Sequence, residues 1–174
     1  MERSTRHEIQ QTCRLLRLPS ELRNRIYELI LIQEDQIRMP AGRTEGDKRA
    51  LLCTCHQIHD EAVGIYYGNN AFIADCGSWF LNADLTCWLR GLGWKKRLLL
   101  KDVRLSLRQQ RMFSPPCGIE DTLFFFTALI KRLDAAGLSL PLEAVKVEVG
   151  SEYLTYSELE ARVSEQASKG GNNR

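Results

Sequence analysis

The pattern of apolar and polar positions predicts a first helix over about Ser20 to Leu31. Pro19 suits the first turn of a helix, because that turn does not need the N–H that proline lacks. Apolar residues then recur at i, i+4, i+7 and i+8, the spacing of one helix face; they are Leu22, Ile26, Leu29 and Ile30. On this pattern alone we expect the apolar stripe to be buried in the core and the polar side of the helix to face outward.

The same spacing predicts four more helices, at about 48–67, 78–92, 119–136 and 157–167. Asp47 is expected to cap the second helix, and Gly68 to Asn70 to end it, because Gly and Asn tolerate left-handed backbone. Gly93 is expected to end the third helix. The fourth is apolar around much of its girth, with Phe124 widening its stripe, so it should be central. Ser157 to Glu160 resembles a capping box at the start of the last helix.

Short strands are predicted between these helices, at about 36–39, 72–74, 103–107 and 145–149. The order strand, helix, strand over 103–149 predicts a right-handed βαβ unit with parallel strands. We therefore expect an α+β or α/β fold in which N-terminal helices pack with a small mixed sheet and cover its other face.

The domain organisation follows from the polar ends of the chain. Residues 1–13 are expected to be flexible, 14–167 to form one α/β domain, and 168–174 to be a disordered tail. The 174 residues, 44% of them hydrophobic, suffice for one domain with a real core.

Composition also limits the compartment and the partners. No apolar run approaches the roughly 20 residues needed to cross a bilayer, and no signal-peptide core is seen. Six cysteines without a secretory signal predict reduced thiols in the cytoplasm or nucleus. The net charge of +2 is too small to imply nucleic acid by itself.

Candidate chemistry is sparse. Cys55 and His59 share a helix face in the predicted second helix, but zinc needs four ligands and no second pair has a familiar spacing. His59, Asp60 and Glu61 are adjacent, so their side chains should point in different directions, and no nucleophile motif accompanies them. We therefore expect no metal, no cofactor and no enzyme activity.

A basic segment, 90–111, supports an alternative function. It could contact nucleic-acid phosphates or an acidic partner, and Trp94 could stack on bases. A solvent-exposed helix–strand edge explains these basic residues equally well. The acidic segment Glu143 to Glu165 could balance their positive charge within the fold. Its central residues form a possible basic patch: Arg90, Lys95, Lys96, Arg97 and Lys101.

Two segments resemble a known family. Leu18-Pro19-Ser20-Glu21-Leu22, followed by Ile26-Tyr27 and Ile30, resembles the start of an F-box. Together with ALLCTCHQIHDEAVGIYYGNNAF, it is similar to a large group of mostly uncharacterised filamentous-fungal proteins, some of them called F-box-like. The two segments cover about the first seventy residues of the chain.

The resemblance implies a protein-interaction module. F-box helices bind the Skp-type adaptor of a cullin–RING ubiquitin ligase, and a downstream domain holds the substrate. The positions that carry over are Leu18, Pro19, Glu21, Leu22, Ile26 and Ile30. F-boxes usually have apolar residues where this chain has Arg23 and Asn24. The leading expectation is therefore a non-enzymatic, F-box-like module that binds a protein, with no membrane partner and nucleic acid less favoured.

Overall fold

A five-stranded mixed sheet forms the centre of the protein in its computed structural model, which describes residues 13–39, 48–75, 83–106 and 118–170. The order of the strands across the sheet follows their order in the chain. β1 to β4 run parallel, and β5 pairs antiparallel with β4. The strands are β1 (Ile37–Met39), β2 (Phe72–Asp75), β3 (Val103–Ser106), β4 (Val145–Val149) and β5 (Glu152–Thr155). This sheet confirms the predicted fold class and the parallel pair of the βαβ unit.

Five α-helices accompany the sheet in the described part of the chain. They are α1 (Ser20–Leu31), α2 (His56–Asn69), α3 (Ala83–Arg97), α4 (Ile119–Ala135) and α5 (Tyr156–Gly170). Short 3₁₀ helices lie at Leu15–Arg17, Lys48–Cys53 and Leu142–Ala144. Crossovers between parallel strands are almost always right-handed, so a strand order without reversal places α2, α3 and α4 on one face of the sheet. α1 packs on α2, and α5 packs on α4.

The two faces of the sheet therefore differ in polarity. Ile37, Phe72, Val103 and Val145 lie side by side and are buried under the helices. Successive strand residues point to opposite faces, so the residues that follow them face away from the helices. That outer face carries charges, with Asp102 accepting from Arg104 at 2.8 Å and pairing with Lys146 at 3.4 Å, and Arg38 pairing with Asp75. The expectation that N-terminal helices cover this face is wrong for α2 and α3, because their right-handed crossovers place them on the apolar face with α4, and α1 packs on α2.

The second predicted helix is broken in two. The 3₁₀ helix ends at Cys53, Cys55 is extended with φ −157°, and α2 begins at His56. The Thr54 hydroxyl donates to the Leu51 carbonyl at 2.7 Å. The Thr54 N–H donates to the same carbonyl at 3.2 Å, so the chain closes a 3₁₀ turn here and Cys55 then leaves the helical conformation. The predicted cap Asp47 lies outside the described residues.

The predicted helix end at Gly93 is confirmed, because Gly93 is non-helical, with φ 70°, and separates the first segment of α3 from a second, short segment that runs to Arg97. Other local predictions need correction. Phe124 is 73% exposed, since the buried face of α4 is formed by Thr122, Phe125 and Leu129 among others. The capping box of α5 lies two residues earlier than predicted, with the Thr155 N–H donating to Glu158 at 2.8 Å. β5 was not predicted, since its four residues show little apolar alternation.

Several predictions concern residues that the structure does not describe. They are the flexible N-terminus up to residue 12, the start of the third helix over 78–82, the end of the third predicted strand at Leu107, and the tail from 171. α5 continues to Gly170, beyond its predicted end at about 167.

Asn70 joins the ends of α1 and α2. Its Nδ2 donates to the carbonyls of Leu31 at 3.0 Å and Tyr66 at 2.8 Å, and its Oδ1 accepts from the Gln33 N–H at 2.8 Å. These are the last turns of the two helices, where carbonyls lack intrahelical partners. Asn70 is buried, so water does not substitute for these bonds. One side chain therefore fixes the relative position of the two helix ends.

Replacing Asn70 should destabilise the whole fold. Asn70→Ala removes three hydrogen bonds and leaves buried polar groups unpaired, so we expect the free energy of unfolding in urea to fall by about 3 kcal/mol. Its neighbour Asn69 is exposed, and Asn69→Ala should change stability by less than about 0.5 kcal/mol. Equal effects of the two substitutions would contradict the joining role of Asn70.

Candidate functional site

The inward face of α1 carries an arginine. Arg23 donates through Nε to Glu61 Oε2 at 2.8 Å and through Nη2 to Glu61 Oε1 at 2.7 Å. Its Nη1 donates to the carbonyl of Leu18 at 2.6 Å. This two-point pairing with a carboxylate is the strong, directional form of an ion pair. Arg23 therefore departs from the F-box pattern because it binds α2 within the fold.

Two more side chains complete a network around the same carboxylate. Tyr27 donates its hydroxyl to Glu61 Oε2 at 3.0 Å, and Gln57 donates its amide to Glu61 Oε1 at 3.0 Å. Arg23 and Tyr27 lie one turn apart on α1, and Gln57 and Glu61 lie one turn apart on α2. We call these four residues the Glu61 network. Sequence reasoning missed it, although the matching i, i+4 spacing in the two family-like segments was the available signal.

The network shifts the ionisation of its members. The hydrogen bonds from Arg23 lower the pKa of Glu61 to about 2, against an ordinary value of 4.5. Burial, followed by the hydrogen bond to Glu61, raises the pKa of Tyr27 to about 12. The Glu61 carboxylate also raises the pKa of Arg23. At neutral pH the charged Glu61 carboxylate thus accepts hydrogen bonds from one charged donor, Arg23, and from two neutral donors, Tyr27 and Gln57.

The apolar stripe of α1 faces outward, and its predicted burial is wrong. Leu22 is 53% and Leu29 is 70% exposed, Ile30 is also exposed, and Ile26 is half-buried. We call these four residues the α1 stripe. The residue after Ile26 is Tyr27, which is turned about 100° further around the helix and is fully buried. The inward face is instead made by Arg23, Tyr27 and Leu31, because the Glu61 network holds that side of the helix against α2.

The remaining F-box-like positions lie near the start of this stripe. Pro19 and Glu21 are exposed, and Leu18 is half-buried. Asn24 is exposed as well. The structure therefore brings Pro19, Glu21 and Leu22 to the surface of one helix end, where a partner can reach them.

The predicted basic patch lies at the end of α3. Arg90, Lys95 and Lys101 are exposed, and Lys96 and Arg97 are half-buried. Within the described ranges, none of them forms an ion pair with the acidic segment 143–165, so the predicted internal balance of charge is not observed.

Further members of the predicted basic segment lie elsewhere. Arg104 is on the outer face of the sheet and pairs with Asp102, so it does not belong to the patch. Arg108 and Arg111 lie outside the described residues. Trp88 packs against Phe72 with ring centroids 5.5 Å apart and is half-buried.

An open depression of about 530 Å³ is lined by two cysteines and two histidines, Cys53, Cys55, His56 and His59. His59 Nδ1 lies 3.4 Å from Asp60 Oδ1, whereas Glu61 points to α1. The three adjacent residues considered for acid–base chemistry therefore do not converge. Among the residues that the structure describes, no group of three or more His, Cys, Asp and Glu is arranged to hold a metal ion. The lining residues are Leu52, Cys53, Thr54, Cys55, His56, His59 and Asp60.

The Glu61 network should make stability fall in acid. The folded-state pKa of Glu61 is about 2, below its ordinary 4.5, so its stabilisation is complete above about pH 5 and is lost as the pH falls towards 2. This loss is worth at most about 3 kcal/mol. Glu61→Gln should be less stable by about 2–3 kcal/mol at neutral pH, and its stability should depend less on pH between 5 and 2. Urea unfolding at several pH values measures both effects.

The exposed pair of Arg25 and Glu28, 3.1 Å apart, provides the control. Glu28→Gln should change the free energy of unfolding by less than about 0.5 kcal/mol. If the free energy of unfolding of Glu61→Gln equalled that of the wild type at every pH from neutral down to 2, the Glu61 network would not stabilise the fold.

Comparison with known proteins identifies no relative. No protein-family model matches the chain, and no significant similarity is found to curated proteins or to solved structures. Across the described ranges, no helix has both the length and the apolar character required to cross a membrane.

Proposed function

We propose that the protein is a non-enzymatic, F-box-like interaction module that binds a protein partner through the α1 stripe. The observation that carries the proposal is the exposure of Leu22 and Leu29 on a helix whose opposite side is fixed to the fold. Large apolar side chains that cluster on one exposed helix face are typical of a partner-binding surface.

The fixed position of α1 favours binding. Arg23 and Tyr27 hold the middle of the helix to Glu61, and Asn70 holds its end. A helix that is already ordered loses little conformational entropy when a partner covers it, so more of the apolar burial contributes to affinity. The α1 stripe is suited to a groove or to a second helix face.

The resemblance of the opening segment suggests which partner this is. In F-boxes the Leu-Pro-x-Glu-Leu segment and the helix after it bind the Skp-type adaptor of a cullin–RING ubiquitin ligase. Pro19 and Glu21 are exposed next to Leu22, so this end of the helix is open to such contacts. The sheet and the other helices would then serve as the part that holds a substrate, in the cytoplasm or nucleus.

Replacing two residues of the α1 stripe should weaken adaptor binding without unfolding the protein. Leu22→Ser/Leu29→Ser removes two large apolar contacts, each worth about tenfold in affinity, so we expect binding to weaken about 100-fold. Both side chains are more than half exposed, so the thermal midpoint should be nearly unchanged. Isothermal titration calorimetry with a purified Skp-type adaptor measures the affinity.

Phe124→Ser on α4 is the matched control, because it removes an equally exposed apolar side chain far from α1 in sequence. Its affinity for the adaptor should equal that of the wild type. Wild-type protein that fails to bind the adaptor would refute the ubiquitin-ligase role. Unchanged binding by the double variant would instead refute the α1 stripe as the contact surface.

A further inference from the structure

A second exposed apolar pair lies at the end of α3. Trp94 and Leu98 are both 63% exposed, and the Leu98 N–H donates to the Trp94 carbonyl at 3.3 Å, so they are one helical turn apart. The earlier apolar residues of α3, Leu85 and Leu89, are buried in the core. Trp94 and Leu98 follow the interruption at Gly93 and do not belong to that buried face. They form an apolar surface separate from the α1 stripe.

Five cations lie within four residues of this pair in the chain, and Lys95 Nζ contacts the Trp94 ring at 5.7 Å from its centroid. They are Arg90, Lys95, Lys96, Arg97 and Lys101, and within the part of the chain that the structure describes none of them pairs with a carboxylate. By contrast, Arg23, Arg38 and Arg104 each pair with an acidic side chain. Cations that are left without partners create a positive potential that attracts an acidic surface. We call Trp94, Leu98 and these five residues the α3 patch.

An apolar centre with a charged rim is the usual anatomy of a protein–protein contact. Tryptophan at such a centre commonly contributes a large share of the affinity, and rim charges select the partner and speed association. Two side chains at i and i+4 also form a ridge that packs into the groove of another helix. We propose that the α3 patch binds an acidic amphipathic helix of a partner protein, with its apolar stripe on Trp94 and Leu98 and its Asp and Glu residues on the five cations.

A nucleic acid and an anionic membrane are two other anionic partners, and both fit the geometry of the α3 patch less well. Lys95 Nζ lies over the Trp94 ring, 5.7 Å from its centroid, and so occupies one of the faces on which a nucleic-acid base would stack. Leu98 is equally exposed but contributes nothing to stacking. An anionic membrane usually takes a helix whose apolar stripe continues for several turns, whereas Leu85 and Leu89 are buried here.

Selection from a random peptide library tests the proposal without assuming a partner. The library displays peptides of about 16 residues, long enough for four helical turns. The target is the Leu22→Ser/Leu29→Ser variant, because it lacks the α1 stripe and so separates this outcome from the proposed adaptor binding. We expect the selected peptides to be acidic and to carry apolar residues at i, i+4 spacing.

The selected peptides should depend on both parts of the α3 patch. Adding Trp94→Ala/Leu98→Ala to the target should weaken their binding at least tenfold, as should raising the salt from about 50 to about 300 mM. Adding Phe124→Ala instead, which removes another exposed aromatic side chain, should have no effect. A thermal melt of each variant checks that it is folded.

Four outcomes would overturn the proposal. They are a selection without enrichment, enriched peptides that are not acidic, binding that is unchanged by Trp94→Ala/Leu98→Ala, and tighter binding to oligothymidine or to phosphatidylserine vesicles than to the selected peptides. The last outcome would assign the α3 patch to nucleic acid or to a membrane surface.

Discussion

The convergence of four hydrogen bonds on the Glu61 carboxylate decides how α1 is oriented. Arg23 contributes two of them, and Tyr27 and Gln57 contribute one each. The Glu61 carboxylate is half-buried, so leaving it without these donors would destabilise the fold, and this favours an α1 that presents its polar side to α2. The apolar stripe on the adjacent side then remains outside. Exposure of the α1 stripe is thus a consequence of an internal ion pair.

This orientation gives the two family-like segments a structural meaning. The first supplies Arg23 and Tyr27, and the second supplies Gln57 and Glu61. The end of the second segment adds Asn70, which fixes the helix ends. It also adds the aromatic cluster of Tyr66, Tyr67 and Phe72, whose ring centroids lie 5.0 to 5.8 Å apart. The paired residues hold the two helices together, and on α1 the apolar side chains of Leu22 and Leu29 face outward.

The local pattern of the sequence was sufficient for most elements but not for the orientation of α1. The α1 helix, four of the five strands and the βαβ unit follow from periodicity and turn residues, which act over a few positions. The inward face of α1 depends on Arg23 meeting a carboxylate 38 residues away, a contact that no local pattern contains. A rule that counts arginine as outward-facing therefore selects the wrong side of the helix. The break between Cys53 and His56 was missed because the apolar stripe continues across it, whereas the backbone of Cys55 is extended.

Hydroxyl-radical footprinting read by mass spectrometry tests the orientation of α1 most directly. Tyrosine reacts with hydroxyl radicals faster than leucine when both are exposed. Intrinsic reactivity alone would therefore favour oxidation of Tyr27, whereas solvent exposure favours oxidation of Leu22 and Leu29. In the folded protein we expect Leu22 and Leu29 to be oxidised while the fully buried Tyr27 is protected, and in urea we expect Tyr27 to become the most reactive of the three. Rapid oxidation of Tyr27 in the folded protein, with Leu22 and Leu29 protected, would contradict this orientation of α1.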